Sequence, residues 1–287
     1  MPDIASTSNR PPRAPTWREW PLQRFSSGAD TILFRLDPEY AALNAQMGAL
    51  LEGGLAAHPE FRRSRHAVVH RIQPDAFPDR LFFKQFLLRD RWDCVKRFYR
   101  ESRARRALIT NGAINRRGFR TEPVIALAEY RRFGVLEKSM LITREIEQVH
   151  EVRSVLRDPE YGLRTDIPRR RRFIKTLGQE IGAWHKAGFH HGDLRLSNLL
   201  VRFDDEHCTF YWMDNERTRR YAALSLRHRR HNLMQIIMDP GVFSRTDAMR
   251  LWRSYKEAAE FHIANEKTFM RKVIRHTQKR WRARNWL

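Results

Sequence analysis

The chain has 287 residues, 41% of them hydrophobic and 11% aromatic, enough for one large domain or two lobes around a real core and too apolar for a disordered chain. Its 55 Lys and Arg outnumber 33 Asp and Glu, and the net charge of +22 draws in anions: phosphate groups, nucleic acid or acidic lipid headgroups. Cys94 and Cys208 show neither a disulfide nor a metal-binding spacing, no apolar run reaches the ~18 residues of a membrane span, and the N-terminus lacks the apolar core of a signal peptide, so a reducing cytosol is expected.

Residues 1–16, rich in Pro, Ser and Arg, are expected to form a flexible arm. "DTILFRLDP" then reads as a strand and "EYAALNAQMGALLEGGLAAH" as a helix. "RHAVVHRI" and "RLFFKQF" read as strands joined by the Pro/Asp-rich loop "QPDAFPD". A basic helix, "DCVKRFYRESRARRALITNG", is predicted to stop at Asn111–Gly112, and "EPVIALAEYRRFGVLEKSMLITREI" supplies two or three more strands. In "TDIPRRRRFIKTLGQEIGAWHKAGF" an N-cap, an early Pro and a late Gly frame a helix whose Phe173, Ile174, Leu177, Ile181 and Trp184 share one face. "NLLVRF" and "TFYWMD" flank the turn "DDEHC" as a hairpin, and three helices finish the chain. A strand-rich lobe over residues 17–143 and a helix-rich lobe over 144–287 are expected, an α+β protein with a cleft between them.

"HHGDLRLSNLLV" stands between that helix and that hairpin. Asp193 can orient an acceptor hydroxyl, and Asn198, five residues on, can offer its amide oxygen to Mg²⁺. Asp214 ends the second hairpin strand, and a hairpin returns that end to the start of the first strand, beside Asn198. Each residue alone fits ordinary turn chemistry; their convergence is what points to phosphoryl transfer.

"HGDLRLSNLLV" followed by "YWMDNER" resembles the catalytic and metal-binding segments of the protein-kinase-like superfamily, and within it the lipopolysaccharide core kinases that act on Kdo or heptose sugars. The resemblance spans roughly residues 64–260 and implies a two-lobed fold, an antiparallel sheet with a helix like the kinase αC in the first lobe, and ATP and Mg²⁺ as cofactors. It assigns Asp193 as catalytic base and Asn198 and Asp214 as Mg²⁺ ligands. His191 would support the loop, and Arg195 would sit near the transferred phosphoryl. Lys84, in "LFFKQF", would hold the donor's α- and β-phosphates, and Glu101, in "FYRESRARRAL", would pair with Lys84. The glycine-rich phosphate loop of kinases is replaced by "FRRSRHAVVHRI", where Ser64, Arg65 or His66 would take over its contacts. The segment from "SMLIT" into "REIEQ" would match the nucleotide hinge.

Two basic features stand outside that motif. The C-terminal stretch places Phe269, Met270, Val273, Ile274, Thr277 and Trp281 at helical spacing among eight Lys and Arg, which fits either packing on the lobe or binding an anionic membrane surface. Arg169–Arg172 crowd a helix start, against the dipole. The resemblance implies an anionic saccharolipid substrate and a cytoplasmic location, peripheral on the inner membrane of a Gram-negative bacterium, with no specific nucleic-acid partner. A small-molecule kinase of the aminoglycoside or choline type, a protein kinase, and a basic pseudokinase or binding protein stay open as alternatives.

Overall fold

A β-sheet organises the first half of the chain. The structure, a computed structural model, describes residues 17–27, 30–75, 77–87, 101–204 and 207–283. In β4 (Ala67–Ile72) and β5 (Leu81–Phe86) buried and half-buried side chains alternate, as the apolar spacing predicts. They join β1 (Leu22–Ser27), β2 (Asp30–Leu36), β3 (Glu60–Arg63), β7 (Val124–Arg132) and β8 (Val135–Arg144) in one antiparallel sheet, order β1-β2-β7-β8-β5-β4-β3. Phe34, Leu81, Phe83 and Met140 fill its core with Met47 and Leu51 from helix α1 (Asn44–Glu52). The sequence reading missed β1 and β3, because neither carries an apolar alternation; all four β3 residues are exposed.

The expected arm, Cys94, the first part of the basic helix and Trp286 lie outside the described residues. The described part of that helix, α2 (Arg103–Asn115), starts at Ser102, whose hydroxyl accepts from Arg105 N. It runs past the predicted stop at Asn111–Gly112. Asn111 is buried and spends its side chain on tertiary hydrogen bonds, and the chain turns only at Gly118, where φ is +84°. Ile114 belongs to the second core, so α2 serves both lobes.

The second half is helical around a small sheet. α3 (Val152–Arg157) precedes α4 (Ile167–Lys186), whose N-cap Asp166 accepts from Arg169 N and whose predicted stripe from Phe173 to Trp184 is buried. The hairpin β11 (Leu199–Asp204) and β12 (His207–Trp212) packs on it, with Trp212 stacked on Trp184 at 3.6 Å. β6 (Arg120–Thr121) and β9 (His150–Glu151) flank the hairpin, and β10 (Phe189–His190) pairs with β13 (Arg219–Arg220). Helices α5 (Leu226–Ile236), α6 (Arg245–Ala258) and α7 (Glu266–Arg282) close the lobe. Phe269, Val273 and Thr277 of α7 are buried, and Trp281 Nε1 donates to Met238 O, so the apolar stripe of the terminal helix packs on protein.

Gly178 and Gly182 let α4 and α6 touch backbone to backbone. A Cβ at Gly182 would lie 2.6 Å from Tyr255 O, and one at Gly178 2.6 Å from Leu251 O. Gly178→Ala and Gly182→Ala should each cost roughly 1–3 kcal/mol in urea denaturation. Gly112→Ala meets only the tip of Arg116 and should be neutral or slightly stabilising. Equal losses at all three positions would contradict this packing.

Candidate active site

The His190–Asn198 loop is held by a buried histidine and a helix behind it. His191 is fully buried; Asp193 N donates to its Nδ1 at 3.1 Å, and its Nε2 donates to Met213 O at 2.9 Å. Burial pushes the imidazole below its ordinary pKa, which suits this one-donor, one-acceptor arrangement. Behind the loop, Asn232 of α5 exchanges hydrogen bonds with both the N–H and the carbonyl of His191, and Gln235 Oε1 accepts from Leu194 N. Gly192 has no room for a Cβ, which would fall 2.4 Å from Cβ of Arg217.

Within that loop the polar groups bond to one another. Arg195 Nε donates to Asp193 Oδ1 at 3.0 Å, while Asn198 Nδ2 donates to Asp193 O at 2.8 Å, which leaves Asn198 Oδ1 as an acceptor. The hairpin register Leu199↔Trp212 and the Met213 N to Asn198 O bond of 3.0 Å bring Asp214 beside Asn198. Asp214 has φ +58°, ψ +45°, a left-handed conformation that short polar side chains tolerate best among residues with a Cβ. This turn sends its carboxylate to the other lobe, where Lys84 Nζ of β5 donates to Oδ1 at 2.7 Å.

The charges around that contact are balanced by burial. Burial works against the Lys84 ammonium, but Asp214, Glu122 and Glu216 outweigh it and hold its pKa above the ordinary lysine value. Burial also pushes the Asp214 carboxyl up, and Lys84 outweighs it, so the group sits below the usual carboxylate range. Glu122, only 8% exposed, is pushed up by burial, and neither Lys84 nor a 3.5 Å contact from Asn111 Nδ2 reverses the shift.

Glu101 does not pair with Lys84. Its side chain is 47% exposed and lies 3.8 Å from Arg105, one helical turn on. It precedes Ser102, the N-cap of α2, and so lies outside the helix at its solvent-exposed start. The carboxylates near Lys84 are Asp214, Glu122 and Glu216. Two further links tie α2 to the Asp214 turn: Arg103 grips Glu216 in a fork at 2.7 and 3.1 Å, and Asn215 Nδ2 donates to Asn111 Oδ1 at 3.0 Å. Sequence reasoning missed Glu122, Arg103, Asn232 and Gln235. The Asn-x-x-Gln spacing of Asn232 and Gln235, which puts both on one helix face, was the one local signal available.

Beside these groups lies a cavity of about 520 Å³. The segment 144–149 forms one wall, with Phe82 and Glu122 on the sheet side and Leu200 and Met213 on the helical side. Glu145 fixes that segment through two bonds from Arg71, at 2.6 and 3.1 Å, and its N–H donates to Arg80 O. At the β3–β4 turn the Ser64 hydroxyl accepts from the N–H groups of His66 and Ala67, so it is committed to the turn itself.

Residues 87–255, more than half of the chain, match the sequence model of the lipopolysaccharide kinase (Kdo/WaaP) family. Among solved structures, the chain is similar to WaaP in complex with acyl carrier protein, with a TM-score of 0.57 and 18% identity over 86% of this chain and 98% of that one. No curated protein matches the chain. The structural likeness supports the two-lobed fold, an antiparallel sheet over a helical lobe.

Glu122 has a measurable consequence. Its raised pKa contributes stability below the ordinary carboxylate range, and that contribution is lost as pH rises through the folded value. Glu122→Gln should therefore gain melting temperature over the wild type as pH rises from about 4 to about 8. A pH-independent difference between the two proteins would contradict a costly buried carboxylate.

Proposed function

Because the chain belongs to the lipopolysaccharide kinase (Kdo/WaaP) family, we propose that it uses ATP and Mg²⁺ to phosphorylate a sugar hydroxyl, on Kdo or heptose, of the lipopolysaccharide core. Family membership makes the chain a phosphotransferase. The observation that supports the finer reading most is the Lys84–Asp214 contact, which joins the two lobes beside the cavity, with Asn198 and the Asp193 loop next to it.

The roles follow from donors and acceptors. Asp193 orients the acceptor hydroxyl and takes its proton on the carboxylate oxygen that Arg195 does not hold. Arg195, half exposed, is placed to swing from Asp193 towards an incoming phosphoryl oxygen. Lys84 holds the donor's phosphates, and the 144–149 backbone borders the space for the base. Asn198 Oδ1 and the Asp214 oxygen not bonded to Lys84 are hard donors of the kind Mg²⁺ takes, and together they would hold it. When bound there, the cation would neutralise charge on the donor phosphates. His191 positions the loop through its two ring hydrogen bonds, and burial holds its pKa below the ordinary histidine value. The two lobes would meet at the 144–149 wall, close to the boundary expected after residue 143.

The substrate would be an anionic saccharolipid at the inner face of the cytoplasmic membrane. A net charge of +22 supports that placement, and the exposed cations of α7, among them Arg271, Lys272 and Arg275, would face the headgroups while the helix's apolar stripe stays packed. No helix among the described residues is long and apolar enough to cross a membrane.

Transfer of labelled phosphate from ATP to lipopolysaccharide or its lipid A precursor tests this reading. Asp193→Ala should lose roughly 10²–10⁴-fold in rate with nucleotide affinity retained. Lys84→Met should raise the KM for ATP. Equal transfer by wild type and Asp193→Ala would defeat the mechanism. Transfer only to free sugars, aminoglycosides or proteins would move the substrate elsewhere in the superfamily.

A further inference from the structure

A second cavity, about 540 Å³, opens in the helical lobe at the far end of α3 from the first. Five arginines line it, Arg157, Arg164, Arg170, Arg171 and Arg250, against one carboxylate, Asp247. That carboxylate is already committed: Arg170 grips it at 2.9 Å, Arg250 lies 3.6 Å away, and it accepts from Ser244 N in the cap of α6. Arg170 also donates to Val242 O at 2.7 Å, so it belongs to the wall. Arg157, Arg164 and Arg171 have no acidic partner among the described residues and are exposed. Asp166 caps α4 and Asp239 pairs with Arg153, while Asp158 and Glu160, the acids closest in sequence, make no ion pair with these arginines and do not line the cavity.

An ordinary solvated basic surface would spread its cations apart. Here they surround one hollow whose size falls within the range of small-molecule sites, roughly 300–1,000 Å³. Gathering guanidinium groups with so little counter-charge costs energy that an anion would recover. Their planar forks suit phosphate, which they can bind by two hydrogen bonds each. The hollow is larger than a phosphate needs, and Val242, Phe243 and the half-exposed Ile167 give it an apolar side.

We propose that this cavity binds a phosphate monoester carried on a bulkier, partly apolar or sugar body. Arg157, Arg164 and Arg171 take the phosphate, and the apolar wall takes the body. The site shares no lining residue with the first cavity and does not depend on the kinase reading.

The test is calorimetric titration of the full chain with inorganic phosphate, with glucose 1-phosphate, and with detergent micelles carrying a phosphorylated glycolipid. The variant Arg157→Ser/Arg164→Ser/Arg171→Ser changes only exposed side chains. Its control, Arg116→Ser/Arg117→Ser/Arg120→Ser, removes the same charge from exposed positions elsewhere. At least one phosphate monoester should bind wild type and control alike, more tightly than inorganic phosphate, and at least tenfold more weakly to the cavity variant. A non-hydrolysable ATP analogue should not compete for this cavity in the wild type or the control. If glucose 1-phosphate suffices, the ligand is soluble; if only the micelles bind, it is a lipid headgroup. The proposal fails if no monoester binds, if both triple variants lose affinity equally, or if the nucleotide analogue displaces the ligand.

Discussion

The ion pair between Lys84 and Asp214 is the constraint on which the rest of the site depends. One partner stands on a central strand of the sheet and the other ends a hairpin of the helical lobe, 130 residues on. Partly buried charges of this kind are expensive to desolvate and are tolerated only when well paired. Both lobes must therefore supply rigid supports. Lys84 has them from pairing on both sides, to Val69 and to Leu141. Asp214 has them from the left-handed turn, the Met213 N–H bond to Asn198, and the His191 bond to Met213 O.

α2 is joined to the helical lobe by its own polar links. Arg103 and Asn111 lie about two turns apart on that helix and contact Glu216 and Asn215, the two residues after Asp214. The Arg103–Glu216 fork is largely buried, so breaking it would strand a charge. The helix and the Asp214 turn are thus locked together through Arg103 and Asn111, and no described residue of the helix bonds to Lys84. Glu122, entering just before β7, contributes negative charge near Lys84 at an energetic cost to the fold. A costly acid kept at such a point is better understood through what it does for Lys84 than through stability.

The parts legible in the sequence were those governed by local pattern. Alternation marked β4 and β5, helical spacing marked the buried face of α4, and hairpin geometry placed Asp214 beside Asn198. The parts that were not legible depend on long-range partners. Resemblance assigns Glu101 as the helix glutamate that pairs with Lys84, yet it sits before the N-cap of α2 and faces solvent. Glu122 carries no local signature, and Glu216, although inside the "YWMDNER" motif, gives no hint of its partner, since Arg103 lies on another element. The stop predicted at Asn111–Gly112 failed for the same reason: a buried tertiary hydrogen bond overrode a plausible cap.

The excess of basic residues divides in a similar way. Arg71, Arg103 and Arg170 are structural, each holding a carboxylate and fixing a loop or a helix end. Arginine suits that work because its fork makes two bonds from one rigid plane. Such residues use their charge inside the fold and contribute little to the outer field. The field comes from cations that make no ion pair among the described residues, and these are not spread evenly. Some line the exposed side of α7, and three border the cavity under α3. Net charge by itself therefore says only that anions are attracted. The separation of paired from unpaired guanidinium groups, visible only once the chain is folded, shows where on the molecule that attraction is concentrated.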